Sequence, residues 1–284
     1  MEIAMKNYQY ITTSIDQRGV AQLVLNRPDV HNAFDEIMIG ELIQALDAFA
    51  AQPQLRVLLL RSLGKNFSAG ADLGWMRSMA DKNYAENLQD AGELAKLMQK
   101  LDSFPAPTLA LVQGAAFGGA VGLVACCDIA IASDKASFCL SEVKIGLIPA
   151  VISPYVVRAI GERASRRYFL TAERFFAAEA LQLGLLHKMV SDDELHGVSD
   201  AMVQTLLANS PAAVKAAKDL IFTVANQPTT QALIDETSRR IAAIRVSGEG
   251  QEGLSAFLQK RTPAWQLAPT TSEPATASPS KGQA

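Results

Sequence analysis

Between Leu109 and Ala132 the chain is almost uninterruptedly apolar, a run long enough to cross a bilayer by the usual measure of about 20 residues. Either a membrane helix or a deeply buried core can absorb such a run. Gly114, Gly118, Gly119 and Gly122 interrupt it, and Gln113 and Asp128 lie inside it. That pattern reads as a buried strand at Thr108–Val112, a glycine turn, a buried helix opening at Gly119 and a further strand at Ile129–Ala132. The expectation is therefore a globular core with no membrane span.

The same alternation recurs along the chain. Val20–Leu25 is a strand closed by Pro28, and Asp35–Ala51 has helical spacing (Ile39, Leu42, Ile43, Leu46, Phe49) ended by Pro53. Arg56–Arg61 is a short buried strand, and Leu88–Leu101 is a helix broken by Pro105 and Pro107. Strands that are apolar throughout, alternating with helices, argue for an α/β architecture with crossover helices. Beyond about Gly161 helices dominate, at Ala177–Leu183, Leu195–Leu207, Ala212–Ala225 and Thr230–Ile244. From Leu267 the chain is rich in Thr, Ser, Pro and Ala without large apolar groups, which reads as a disordered tail over 267–284.

With 284 residues, 49% of them hydrophobic, a sizeable core is within reach. The net charge of −3 gives no global field for nucleic acid or an anionic membrane, so an anionic ligand must be held by local groups. The adjacent Cys126 and Cys127 are no ready disulfide, and with Cys139 they read as small buried residues of a reducing compartment. No zinc spacing, flavin signature or dinucleotide fingerprint is present, so neither metal nor cofactor is expected. The first ten residues do not read as a secretory leader, which leaves a cytoplasmic location as the expectation. His31, His187 and His196 are scattered and read as structural or surface residues.

Three local features carry chemistry. Phe67-Ser68-Ala69-Gly70-Ala71-Asp72-Leu73 and Gly114-Ala115-Ala116-Phe117-Gly118-Gly119 are small-residue turns after apolar strands, able to aim backbone N–H groups outward. Taken alone the first is an ordinary strand-to-helix connection with Asp72 as N-cap, and the second a close-packing device. A helix opening at Gly119 also carries free N–H groups and partial positive charge, which suits an anion. Glu142 sits in an otherwise mostly apolar run, where a carboxyl is costly to ionise and its pKa rises toward acid/base use. Two converging N–H groups and one such carboxyl are the parts needed to stabilise an enolate.

In this order, with Leu25-Asn26-Arg27-Pro28, Cys127-Asp128-Ile129-Ala130, Gly146-Leu147-Ile148-Pro149 and Phe257-Leu258-Gln259-Lys260-Arg261, the chain resembles the crotonase (enoyl-CoA hydratase/isomerase) superfamily from about Tyr8 to Trp265. The resemblance implies a spiral ββα core over 1–200, a C-terminal helical trimerisation region over 201–266, and a trimer or dimer of trimers. It implies a coenzyme A thioester as substrate and a lyase or isomerase activity. By the same resemblance the Ala71 and Gly119 amides would form an oxyanion hole, and Glu142 would be the catalytic acid/base. Ala69, Ala71 and Leu73 would line the coenzyme A path, with Phe257 and Lys260 reaching its nucleotide end from a neighbouring subunit. Trp75, Met76 and Gly122 would lie at the acyl group, Trp75 and Met76 being equally readable as helix-packing residues.

Two departures from the family pattern matter. By the resemblance, the second glutamate of standard enoyl-CoA hydratases falls at Gly122, so either Glu142 alone takes and gives the proton through a single water, or another group or the substrate helps; the family's isomerases also work with one glutamate. The run Pro149–Val157, with Gly119–Leu123 and Ala159–Ala164, instead resembles bacterial hydratases of branched glutaconyl-CoA thioesters. These are the 3-methylglutaconyl-CoA type of leucine breakdown and the isohexenylglutaconyl-CoA type of acyclic terpene breakdown. Such substrates carry a distal carboxylate, for which Lys144, Arg77 and Arg158 are candidate partners. Some relatives bind RNA, but the acidic balance and the lack of a basic stripe argue against that here.

Overall fold

The structure is a computed structural model describing residues 3–4 and 6–266. The tail expected over 267–284 lies outside the described residues. The strands are β1 (Ile3–Ala4), β2 (Ile11–Ile15), β3 (Val20–Leu25), β4 (Val57–Ser62), β5 (Thr108–Val112), β6 (Ala115–Phe117), β7 (Ile129–Ser133), β8 (Ser137–Cys139), β9 (Phe175–Phe176) and β10 (Lys188–Val190). Seven form one sheet in the order β1-β2-β3-β4-β5-β7-β10, antiparallel up to β3 and parallel from there on. The other three form a small sheet, β6-β8-β9. The helices are α1 (Glu36–Ala50), α2 (Leu73–Asp81), α3 (Tyr84–Asp102), α4 (Gly119–Cys126), α5 (Ser153–Thr171), α6 (Ala177–Leu183), α7 (Leu195–Leu207), α8 (Pro211–Val224), α9 (Gln231–Val246) and α10 (Gly248–Leu258).

The central strands are apolar throughout because both faces of the sheet are covered. Successive residues of β4 alternate between two clusters: Leu58 and Leu60 pack with α1, α3 and α4, whereas Val57 and Leu59 pack with Leu195 and Val203 of α7. A period of two therefore feeds two apolar layers at once. The division expected at 200/201 falls inside α7, and this helix belongs with the sheet it covers. Helices α8 and α9 bury no residue fully and leave Ile221, Phe222, Ile234 and Ile241 exposed.

Asp128, the charge inside the apolar run, ties these layers together. Its Oδ2 accepts hydrogen bonds from Thr108 N (2.8 Å) and Thr108 Oγ1 (3.0 Å) and pairs with Lys218 Nζ of α8 at 2.7 Å. Among the described residues no helix is long and apolar enough to cross a membrane. The three cysteines are buried free thiols, and burial pushes Cys127 up to about 12.

Candidate active site

The first small-residue turn is shaped by its neighbours. Ser68 is fully buried, and its Oγ accepts from Gly70 N at 3.1 Å. Ser68 N donates to Ala115 O, and Phe117 N donates back to Ser68 O, stitching the turn to β6. Gly70 stands at φ +93°, and a Cβ there would lie 2.9 Å from Phe117 O, so only glycine lets the two turns meet. Asp72 caps α2 by accepting from Gly74 N, and Asp35 caps α1 by accepting from Met38 N. The half-buried guanidinium of Arg27 joins both caps, at 3.2 Å from Asp35 and 3.3 Å from Asp72. The Leu25-Asn26-Arg27-Pro28 motif thus fixes where both helices start.

The second turn ends in Gly118, at φ +53°, which caps α4. Its amide donates to Cys139 O, and the next amide, Gly119 N–H, is the first of the helix. Neither Gly119 N–H nor Ala71 N–H meets an acceptor among the described residues. Both residues line one cavity of about 330 Å³, together with Glu142.

Glu142 opens a 3₁₀ turn, Glu142–Ile145, directly after β8. Its Oε2 is buried with no hydrogen-bond partner, and its Oε1 lies 3.4 Å from the position a Cβ would take on Gly118. Burial raises the carboxyl pKa above the ordinary glutamate range, against a smaller opposing effect of its own backbone amide. The folded protein therefore holds this proton to higher pH than the unfolded chain does. Its carboxylate penalises the fold at neutral pH, and that penalty disappears below the unfolded-state value of about 4.3. Glu142→Gln should accordingly raise the thermal midpoint at pH 7 and give no advantage near pH 4, as read by calorimetry across pH.

The rest of the lining is mostly apolar, Phe34, Met79, Leu94, Ile148, Val151 and Ile152 among it, with Ser141 and the indole of Trp75 as the further side chains that carry a polar atom. Of the residues singled out from sequence, Ala69, Ala71, Trp75, Met76, Gly119 and Glu142 meet here. Gly122 does not. A Cβ on Gly122 would fall 2.2 Å from Ile152 Cγ2 and 3.2 Å from Met98 Sδ, so the glycine lies beneath Ile152, and Ile152 forms the wall. Even Gly122→Ala should cost about 1–3 kcal/mol by overpacking, measurable as a lowered denaturant midpoint with an unchanged slope.

Leu73 is exposed and outside the lining, as are Phe257, 82% exposed, and Lys260 near the chain's described end. Arg77 and Lys144 are exposed, and Arg158 is paired with Asp102; none of the three lines the cavity. The histidines lie elsewhere: His31 Nδ1 contacts Asn66 Nδ2, His187 Nδ1 accepts from Ala130 N, and His196 lines a separate cavity. That cavity, about 590 Å³, is larger and carries Arg61, Lys65 and Lys135. It lacks the combination of a buried carboxyl with two free amides, so chemistry and not size selects the smaller one. No cluster of groups able to hold a metal occurs among the described residues.

Sequence reasoning missed Ile152 and Phe34 as wall residues. Both reach the cavity through contacts between elements distant in the chain, and no local spacing signals that. The free amides at residues 71 and 119, by contrast, were legible as small residues after apolar strands.

The sequence matches the family described as Enoyl-CoA hydratase/isomerase over residues 16–267. The solved structure of an enoyl-CoA hydratase from Shewanella pealeana superposes with a TM-score of 0.87 at 56% identity, covering 90% of this chain and 96% of that one. A provisionally named enoyl-CoA hydratase from Thermus thermophilus is 32% identical over 254 residues, covering 88% of this chain and 98% of its own, and the 2,3-dehydroadipyl-CoA hydratase of Escherichia coli is 30% identical over 248 residues, covering 87% and 95%.

Proposed function

Since the chain belongs to the enoyl-CoA hydratase/isomerase family and has its α/β crotonase-type fold, we propose that it adds water to the α,β double bond of a branched glutaconyl-CoA thioester, of the 3-methylglutaconyl-CoA type. The observation that carries this reading is the Glu142 carboxyl, its Oε2 buried and without a hydrogen-bond partner, sharing a small cavity with two free amides. The E. coli relative is named for a substrate that also bears a second carboxylate, which supports the acyl class.

The mechanism needs one carboxylate. Glu142 takes a proton from a bound water, whose oxygen bonds to Cβ. The electron pair of the Cα=Cβ bond forms a double bond from Cα to the carbonyl carbon, and the carbonyl pair moves onto the thioester oxygen, held by Ala71 N–H and Gly119 N–H. Glu142 then gives its proton to Cα as the carbonyl re-forms. Water has been added across one face and the carboxylate is regenerated. Neutral amides placed for the enolate stabilise the charge as it develops, without reorganising. Turnover should fall as pH drops through the raised pKa of Glu142, because only the carboxylate can accept the water proton. No metal or other cofactor enters; coenzyme A comes with the substrate.

The exposed apolar residues of α8 and α9 support assembly as a trimer or dimer of trimers, in which Phe257 and Lys260 would reach a neighbour's nucleotide moiety. A second reading, a double-bond isomerase, is favoured by Ile152 filling the place where a second carboxylate would stand. The test mixes the protein with 3-methylglutaconyl-CoA, crotonyl-CoA and a 3-enoyl-CoA in parallel and follows enoyl-thioester absorbance. Rapid loss with the first supports the proposal, and the same loss with an isohexenylglutaconyl substrate would assign the longer acyl class. A rise with the 3-enoyl substrate, without hydration of any, selects the isomerase.

A further inference from the structure

The larger cavity, about 590 Å³, has a chemistry of its own. It lies where β4, β5 and β7 end, three neighbouring parallel strands, and it shares no lining residue with the Glu142 cavity. Arg61 is the next-to-last residue of β4 and follows Val57 and Leu59 at the spacing of two that places its side chain on the α7 face. Leu111 of β5 and Leu195 of α7, both buried, belong to that layer and line the cavity with it. Phe34, Trp75 and Ile152 of the Glu142 cavity belong to the layer on the other face. Crevices at the carboxyl ends of parallel strands are where open α/β sheets hold ligands.

The charges of this cavity do not balance. Lys135 pairs with Asp192 at 2.6 Å, which uses the one carboxylate of the lining. The side chains of Arg61 and Lys65 make no ion pair or hydrogen bond among the described residues. Of the three guanidinium nitrogens of Arg61 only Nε is buried, so the terminal two, equally without an acceptor, are the accessible polar end of a side chain that lines the cavity. Lys65 is carried on a fixed segment. Gln113 Nε2 donates to Gly64 O at 3.1 Å, and Gly114, at φ +61°, passes so close that a Cβ there would lie 2.1 Å from Lys65 O. We propose that this cavity binds an organic phosphate, a phosphate monoester whose head sits on Arg61 and Lys65 and whose apolar body lies on Leu111 and Leu195. Two unpaired cations match the dianion of a phosphate monoester, where a carboxylate would leave one charge over. A guanidinium also presents the fork of donors that phosphate oxygens accept. The leucines and the volume suit an organic ligand and not a bare ion.

The test is calorimetry on the full chain at about pH 8, where the ester is a dianion, with phenyl phosphate, benzoate and inorganic phosphate as probes. Saturating butyryl-CoA is present throughout, which keeps the acyl-CoA site filled, so the heat reports a second site. Phenyl phosphate should bind about tenfold or more tightly than benzoate or inorganic phosphate, the scale of a hydrogen bond to a charged group. Arg61→Gln should weaken it about tenfold, and so should Lys65→Gln, which alters an exposed side chain and leaves the fold untouched. The dissociation constant of butyryl-CoA should not change in either variant. Absence of phenyl phosphate binding, benzoate binding equally well, or binding that Lys65→Gln leaves intact would each overturn the inference. Displacement of phenyl phosphate by butyryl-CoA, or weaker butyryl-CoA binding in Lys65→Gln, would assign the cations to the acyl-CoA site and overturn it too. With phenyl phosphate bound as expected, AMP and glucose 6-phosphate run in the same way tell a nucleotide from a sugar phosphate as the bearer of the head group.

Discussion

Glu142→Gln should fold and bind a saturated acyl-CoA as the wild type does, while kcat for hydration falls by about a hundredfold or more, the ordinary scale for losing a general acid–base group. The amide is nearly isosteric and cannot accept a proton. No other titratable side chain lines the cavity, so nothing stands in for it. The structure gives this loss a matching gain, since a buried carboxylate costs the fold more stability at neutral pH than a neutral amide does. Activity and stability should therefore move in opposite directions on a single substitution. A variant that keeps full turnover would remove Glu142 from the chemistry.

The second large effect belongs to Gly119. Gly119→Val should lower kcat/KM by roughly 10²–10³, the range seen on losing one donor to a developing oxyanion. A Cβ at residue 119 would stand 2.9 Å from Phe34 Cζ and 3.0 Å from its Cε2, so the new side chain must push the ring that walls the cavity or tilt the first turn of α4. Either movement displaces the amide. Gly40→Ala is the control, for Gly40 lies in α1 with open space where a Cβ would go. That substitution should leave turnover unchanged and, in a helix interior, add about 0.5–1 kcal/mol of stability. Wild-type turnover in Gly119→Val would show that its N–H does not face the reacting oxygen.

Much of this arrangement is written locally in the chain. Buried parallel strands show themselves as continuous apolar runs, so β3, β4, β5 and β7 are visible, and α4 follows from glycines that open a buried helix. The apolar spacing begins only at Leu88, four residues into α3, because its first turn is polar; the capping box of Asn83 with Glu86 marks the start at Tyr84. Helix α5 has no continuous signature in the sequence because Gly161 interrupts it at φ +76°, outside the helical region, and its exposed side is rich in charge. β6, three residues of small and aromatic side chains between glycines, reads as a turn until its pairing with β8 is seen.

The candidate site divides the same way. Turns and the lone carboxyl have local signatures, because glycine and an ion among apolar neighbours are unusual wherever they occur. Gly122 shows in the sequence as a bare position in a buried helix, but not what covers it, which is a methyl group of Ile152 arriving from the start of α5.

The central claim is that one carboxylate moves a proton from water to Cα while the water oxygen goes to Cβ. Turnover of 3-methylglutaconyl-CoA in deuterated water, read by NMR, tests it directly. The predicted product is the 3-hydroxy thioester with a single deuterium at Cα, on the same face as the new hydroxyl. A product with a shifted double bond and no added oxygen would contradict the account.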